Sequence, residues 1–155
     1  MHDPVLISVP GKIILSGEYA VLDGAVAIVF STDQRLKVSI KNTDNDHHTY
    51  TTSMSKGHFP FQHDHDANIR WLASDPGLFG TLVQYAFRAL ALTPEEKLCI
   101  EIDSSEFFIS NNENKNTKLG IGSSAAVSVG LIKALSRYLK LSLPPEVLLE
   151  KSTLV

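Results

Sequence analysis

The 155-residue sequence is poor in several informative residue types, with one cysteine and one tryptophan. Because Cys99 is the single cysteine, no disulfide can form within the chain, which excludes the disulfide-rich secreted class. No apolar run reaches the roughly 20 residues that a membrane-spanning helix needs. The N-terminus also lacks the charged lead and long apolar core of a secretory signal. These absences predict a cytoplasmic protein in which Cys99 is a core thiol.

Blocks of charge of one sign are also missing. The 14 basic and 17 acidic side chains give a net charge of −3 and are not clustered. Nucleic acid and membrane surfaces are therefore not expected partners. A hydrophobic content of 43% and a charged content of 20% are typical of a globular protein. The length suits one domain, residues 1–155, with a substantial core.

The first 41 residues predict a β-rich layer. Val5–Val9 is a short apolar run, and Pro10-Gly11 after it is a turn signal. Asp23-Gly24 is a hairpin-type dipeptide, followed by a further apolar run over Ala25–Phe30. Residues 36–41 then alternate between apolar and polar, which is the period of a half-exposed strand.

Residues 42–68 are polar and contain most of the histidines. Thr49–Ser53 predicts an edge strand within this stretch. His63-Asp64-His65-Asp66 invites a metal-binding interpretation, but the spacing does not suit one helical face and no second pair of ligands follows. A solvated loop is the favoured prediction.

After residue 75, stretches with apolar residues at helical spacing alternate with a stretch that has the period of a strand. Asp75-Pro76 predicts a helix start with Asp75 as the cap, and the helical period runs to Leu90. Leu98–Asp103 alternates as a strand, which we expect to extend to Ile109. Residues 142–145 open a last helix. Strands first, then mixed helices and strands, predict an α+β domain.

A glycine loop followed by a helical period lies near the end of the chain. Gly120 and Gly122 flank Ile121, which suits a tight turn with backbone N–H groups facing a ligand. The helix that follows places Ser123 and Ser124 at its start, where their hydroxyls would cap free N–H donors. Free N–H groups and the helix dipole together attract anions. The residues predict a phosphate-binding loop, and the alternative is an ordinary capped helix.

Two known nucleotide loops can be compared with this stretch. The Walker A pattern is absent, because no Gly-Lys-Ser/Thr follows at the required spacing. The Rossmann pattern G-x-G-x-x-A matches at Gly120, Gly122 and Ala125, but that loop should follow directly on an apolar strand. Polar residues precede the loop here, so the Rossmann interpretation fails.

Two segments taken together resemble one kinase family. Val9–Leu22, with the sequence VPGKIILSGEYAVL, resembles the first motif of the GHMP kinases, the superfamily of galactokinase, homoserine kinase, mevalonate kinase and phosphomevalonate kinase. Lys118–Ala126, with the sequence KLGIGSSAA, resembles their second motif, the phosphate loop. The order and separation of the segments also fit. The resemblance covers essentially the whole chain as the N-terminal half of such a kinase, and it implies the ribosomal protein S5 domain 2-like fold.

Details within the motifs resemble phosphomevalonate kinases most. Gly17–Val21 reads GEYAV and Lys118 precedes the loop, whereas mevalonate kinases usually carry histidine in place of Tyr19. Ile121 replaces the usual leucine, and Asn116 stands where many members have proline. The resemblance implies transfer of the γ-phosphoryl group of ATP to phosphomevalonate in isoprenoid precursor synthesis. The alternative is mevalonate kinase or another GHMP small-molecule kinase.

The resemblance also implies how the glycine loop works. Its backbone amides, from Gly120 to Ala125, would hold the phosphates of ATP. A hydroxyl of Ser123 or Ser124 would ligate Mg²⁺, a cation that prefers oxygen, and Ser123 is the preferred ligand.

Four side chains outside the loop glycines receive roles by the same resemblance. Lys12 would be the catalytic cation that faces the acceptor and the transferring phosphoryl group. Glu18 and Tyr19 would orient the acceptor, and Lys118 would bind ATP or an existing phosphate on the acceptor. The alternatives are solvated surface lysines and a pair of residues that only packs at a strand end.

The third motif of the family has no counterpart in this sequence, and its acidic metal ligand and aspartate base are expected beyond Val155. The chain also ends on apolar residues within a helical pattern. We therefore expect a truncated chain that is inactive in isolation. A ligand sensor that kept this fold and lost catalysis is the alternative from another class. The oligomeric state is open, with a homodimer as one option.

Overall fold

The computed structural model describes residues 3–73, 76–110 and 116–153. Its strands are β1 (Val5–Ser16), β2 (Ile28–Asn42), β3 (His48–Thr52), β4 (Ser55–His63), β5 (Ile69–Trp71), β6 (Leu98–Asp103), β7 (Phe108–Ser110) and β8 (Asn116–Lys118). Its α-helices are α1 (Gly77–Ala89), α2 (Ser123–Tyr138) and α3 (Pro145–Thr153). Short 3₁₀ turns cover Ala20–Asp23 and Ser105–Phe107. The prediction of an α+β fold is confirmed.

Six strands form one mixed sheet in the order β1-β2-β6-β3-β4-β5, and β7 pairs with β8 in a separate two-stranded sheet. The β3–β6 pair is parallel, and the other pairs are antiparallel. Within the described ranges, no helix is long and apolar enough to cross a membrane.

The core lies between one face of this sheet and the helices. Alternate residues of β2 and β6 point into it, as the period of two requires, and they are fully buried: Leu36, Val38, Ile40, Leu98, Ile100 and Ile102. Helix α2 packs on β1 and β2, and at Gly130 there is no room for a side chain, because an added Cβ would lie 2.7 Å from Cγ2 of Val38. This close contact holds the middle of α2, two helical turns from the loop at its N-terminus, against β2.

Several local predictions are wrong for non-local reasons. Pro10-Gly11 is not a turn, because β1 runs through it with a shift in its pairing to β2. The strand predicted at Thr49–Ser53 exists as β3, but it lies inside the sheet between β6 and β4. The strand from Leu98 ends at Asp103 instead of extending to Ile109, and β4 was not predicted. The predicted cap Asp75 lies outside the described residues, and α1 begins at Gly77.

The histidine-rich stretch is largely hydrogen-bonded structure. The Asp64 carboxylate accepts from the N–H groups of Asp66 and Asn68, each at 2.9 Å, and from the Asn68 amide. His48 is only 1% exposed, its Nδ1 accepts from the Leu98 N–H at 3.1 Å, and it stacks on Phe61. Within the described ranges, no group of three or more acidic, histidine or cysteine side chains could hold a metal.

His48 should make the stability depend on pH. Burial, followed by the charges of His63, Lys97 and His47, lowers the pKa of His48 to about 4 from an ordinary value of 6.5. The unfolded chain therefore binds a proton first as the pH falls, so the folded state loses stability between about pH 6.5 and about pH 4, by up to about 3 kcal/mol.

We expect His48→Asn to flatten this part of the pH profile in chemical denaturation, whatever it does to the absolute stability. His65→Asn is the matched control, because the His65 side chain is 90% exposed. An unchanged pH slope in His48→Asn would show that other groups cause the acid sensitivity.

Candidate functional site

The glycine loop joins β8 to α2 through two left-handed residues. Gly120 has φ +74° and Gly122 has φ +79°, a conformation that favours glycine. Gly122 is the residue before the helix, and its carbonyl accepts from the Ala126 N–H at 3.0 Å. The first N–H groups of a helix have no intrahelical partner. The loop therefore presents backbone donors at the positive end of the α2 dipole, as an anion site requires.

The two serines do not cap the helix, and that prediction is wrong. No side chain caps α2, because Gly122 occupies the capping position and the serines lie within the first turn. The Ser124 carbonyl accepts from the Ser128 hydroxyl at 3.1 Å. Ser123 is 2% exposed, and its Oγ has no hydrogen-bond partner within the described part of the chain. A buried hydroxyl without a partner lowers the stability of the fold. Because the Ser123 hydroxyl has no partner here, it is available to a ligand.

Lys12, from the first motif, lies directly against this loop. Its backbone N–H donates to the Ile121 carbonyl at 2.9 Å. Its side chain crosses Gly122, where an added Cβ would lie 3.0 Å from Cγ and 3.4 Å from Cε of Lys12. The two sequence motifs, more than 100 positions apart, therefore meet in one place.

Glu18 and Tyr19 lie farther along the β1–β2 hairpin. Both are exposed, Tyr19 to 78%. They follow β1, which ends at Ser16. Ser16 is four residues beyond Lys12, which corresponds to about 13 Å along the strand at roughly 3.3 Å per residue. Their predicted role toward an acceptor stays a prediction, since the hairpin separates them from the loop.

A largely apolar cavity of about 330 Å³ adjoins the loop. Its two polar contributors nearest the loop are Lys118 and Ser123, and burial raises the pKa of Tyr50 in its wall to about 12, so this phenol stays neutral. The apolar wall includes Tyr50, Met54, Phe59, Leu78, Phe79 and Phe108. None of these residues was predicted from the sequence to line a site, because they come from β3, the β3–β4 turn, β4, α1 and β7 and share no local pattern.

The arrangement of these groups suits a large anion with an apolar portion. The loop supplies N–H donors, and Lys12 supplies a cation beside Gly122. The cavity, lined by Lys118 and Ser123 at the end next to the loop, supplies apolar walls. The buried Ser123 hydroxyl, which has no partner among the described residues, is an oxygen that could serve Mg²⁺, a cation that takes its other ligands readily from phosphate and water. The arrangement suits a nucleoside polyphosphate.

Comparison with known proteins finds similarity to one family of kinases. A family model for the GHMP kinases N terminal domain matches residues 82–154. Mevalonate kinases from Thermococcus onnurineus and Thermococcus sibiricus are each 32% identical to this chain in an alignment 152 positions long that covers 92% of it. The chain spans 41% of the length of these curated relatives.

Solved structures share the fold at lower identity. Phosphomevalonate kinase from Streptococcus pneumoniae, in complex with phosphomevalonate and AMPPNP, gives a TM-score of 0.68 at 22% identity and matches 96% of this chain and 41% of that one. Mevalonate kinase from Methanococcus jannaschii gives 0.67 at 22% identity, with 98% and 45% covered. Galactokinase from Lactococcus lactis, complexed with galactose, gives 0.70 at 15% identity, with 97% and 36% covered.

Proposed function

We propose that this chain, whose residues 82–154 match the family model for the GHMP kinases N terminal domain, is the nucleotide-binding part of an ATP-dependent small-molecule kinase. The observation that supports this most is the contact of Lys12 with the glycine loop at Ile121 and Gly122. Phosphoryl transfer depends mainly on positioning and charge neutralisation. A loop of free amides crossed by a lysine provides both.

ATP would lie across the loop with its two ends in different surroundings. The phosphates take the amides of Gly120–Ala125, and the nucleoside fills the cavity beside Lys118, where Tyr50 and Phe108 provide apolar walls. The unpartnered Ser123 hydroxyl would hold Mg²⁺. When bound, Mg²⁺ neutralises charge on the phosphate oxygens.

Lys12 would act on the transferring phosphoryl group. Its ammonium is a compact charge on a flexible stem, and the stem is held against Gly122. A cation fixed beside the loop stabilises the charge that spreads over the phosphoryl oxygens during transfer. Glu18 and Tyr19 would contact the acceptor from the hairpin.

Phosphomevalonate is our first candidate acceptor and mevalonate the second. Tyr19 within GEYAV and Lys118 before the loop support phosphomevalonate, which brings its own phosphate to be neutralised. The Thermococcus relatives, both mevalonate kinases, support the second candidate. Lys118 lies in the wall of the cavity next to Ser123, so its charge could serve the nucleotide, the acceptor phosphate, or both.

A substrate panel with the full-length protein separates these candidates. We expect phosphomevalonate to be phosphorylated faster than mevalonate, and Lys118→Ala to raise the KM for phosphomevalonate about tenfold or more, the effect of about 1.4 kcal/mol. Lys133→Ala, an exposed change on α2, is the control.

Two other outcomes of this experiment would favour a different function. Faster turnover of mevalonate, with acceptor kinetics unchanged in Lys118→Ala, would contradict the first candidate and favour the second. ATP binding with no turnover of any acceptor would favour a sensor.

The extent of the protein is a further proposal. The coverage of 41% of the curated relatives supports a chain that is the N-terminal part of a longer kinase, with the remaining catalytic groups elsewhere. We propose a cytoplasmic location, and a homodimer stays open.

A further inference from the structure

The pairing of β1 with β2 is irregular next to the glycine loop. Pro10 pairs with Arg35, whereas Lys12 pairs with Ser31. Gly11 alone therefore faces three residues of β2. A bulge of this kind bends the strand that carries the extra residues, which here is β2. At this point the Lys12 N–H donates to the Ile121 carbonyl of the loop.

Gly11 lies buried at the centre of this irregularity with no room for a side chain. An added Cβ would lie 2.7 Å from Oγ1 of Thr32 and 2.8 Å from Cδ1 of Ile121. Its φ is not in the left-handed region, so the backbone itself would accept alanine. The requirement for glycine at this position is therefore one of space.

Ile121 cannot easily move away from such a side chain. It is 7% exposed and belongs to the hydrophobic core, and it lies between Gly120 and Gly122, whose left-handed conformations shape the loop. Any residue larger than glycine at position 11 would push the loop away from β1.

We infer that Gly11 is a positioning residue for phosphoryl transfer. Its missing side chain lets β1 close onto Ile121, which brings the Lys12 N–H to the Ile121 carbonyl and lays the Lys12 stem across Gly122. Gly11 makes room for the loop, and Gly122 makes room for Lys12. This inference rests on the proposed function, because it assigns the contact to the alignment of nucleotide and catalytic cation.

The test measures Mg·AMPPNP affinity and ATP turnover in the full-length protein. We expect Gly11→Ala to raise the Kd for Mg·AMPPNP about tenfold and to lower kcat about tenfold or more, since a displacement of about 1 Å can cost 10²-fold in rate. Ile121→Ala removes Cδ1 and Cγ1 of Ile121, the two loop atoms that the new Cβ would meet at 2.8 and 3.0 Å, and leaves the contact with Oγ1 of Thr32. In the double variant Gly11→Ala/Ile121→Ala, the combined loss should be smaller than the product of the single losses.

Gly130→Ala separates positioning from mere stability. Its Cβ would meet Cγ2 of Val38 at 2.7 Å, so it also crowds the core, but two helical turns away from the loop. We expect a lower Tm with an unchanged Kd for Mg·AMPPNP.

Two results would overturn the inference alone: an unchanged Kd and kcat in a folded Gly11→Ala variant, or single losses that multiply in the double variant. Absence of Mg·AMPPNP binding by the unmodified protein would overturn the proposed function, and the inference with it.

Discussion

Replacing Gly122 with valine is expected to abolish nucleotide binding while the protein stays folded. Gly122 has φ +79°, which a β-branched residue adopts only with strain, and its Cβ would press on the Lys12 stem. The loop would have to turn its amides away from the phosphates. Hydrogen bonds to charged groups contribute about 1.5–3 kcal/mol each, so loss of two weakens ATP binding about 100-fold or more.

Gly24→Val is the matched control for this change. Gly24 has φ +85°, but an added Cβ would meet nothing within 4 Å, and it lies in the β1–β2 hairpin outside the loop. It should carry a similar backbone strain and retain ATP affinity. Calorimetric titration with Mg·ATP checks both variants. Unchanged affinity in a folded Gly122→Val variant would remove the loop from the site.

Lys12→Ala should depress kcat about 10²–10³-fold, the usual cost of removing a group that stabilises transition-state charge. The KM for ATP should change little, because the loop amides and the cavity are untouched. A loss that appears in kcat marks an interaction made mainly in the transition state. Steady-state kinetics on the full-length protein with the preferred acceptor gives both parameters.

Lys41→Ala is the control for general charge effects. Lys41 is exposed on β2, beyond the part of the strand that faces the loop. It should leave both parameters unchanged. A normal kcat in Lys12→Ala would show that Lys12 is an ordinary surface lysine. Another cation would then have to stabilise the transferring phosphoryl group.

Local sequence patterns were enough to predict the elements whose apolar residues recur at a regular spacing. The helix after the loop followed from apolar residues at helical spacing, and β2 followed from the alternation at Leu36, Val38 and Ile40. The tight turn of the loop followed from the Gly-Ile-Gly sequence. Each of these depends on neighbours in the chain, so the sequence predicts them.

Other features depend on partners far away in the sequence. Pro10-Gly11 looks like a turn until β1 pairs across it, and Thr49–Ser53 looks like an edge strand until β4 and β6 flank it. The serines look like caps until Gly122 takes that position. The contact of Lys12 with the loop and the walls of the cavity likewise arise only when separate strands meet. The resemblance implied that Lys12 faces the transferring phosphoryl group, but no local pattern predicted the contact or the cavity.

Amide hydrogen exchange in the presence and absence of Mg·AMPPNP tests the central claim most directly. The N–H groups of Gly120–Ala125 precede or open α2, and the first helical N–H groups have no intrahelical partner. If the loop holds the phosphates, these amides should exchange at least about tenfold more slowly when nucleotide is bound, which is about 1.4 kcal/mol of added protection. Bound Mg·AMPPNP with unchanged exchange over Gly120–Ala125, and protection elsewhere, would contradict the account.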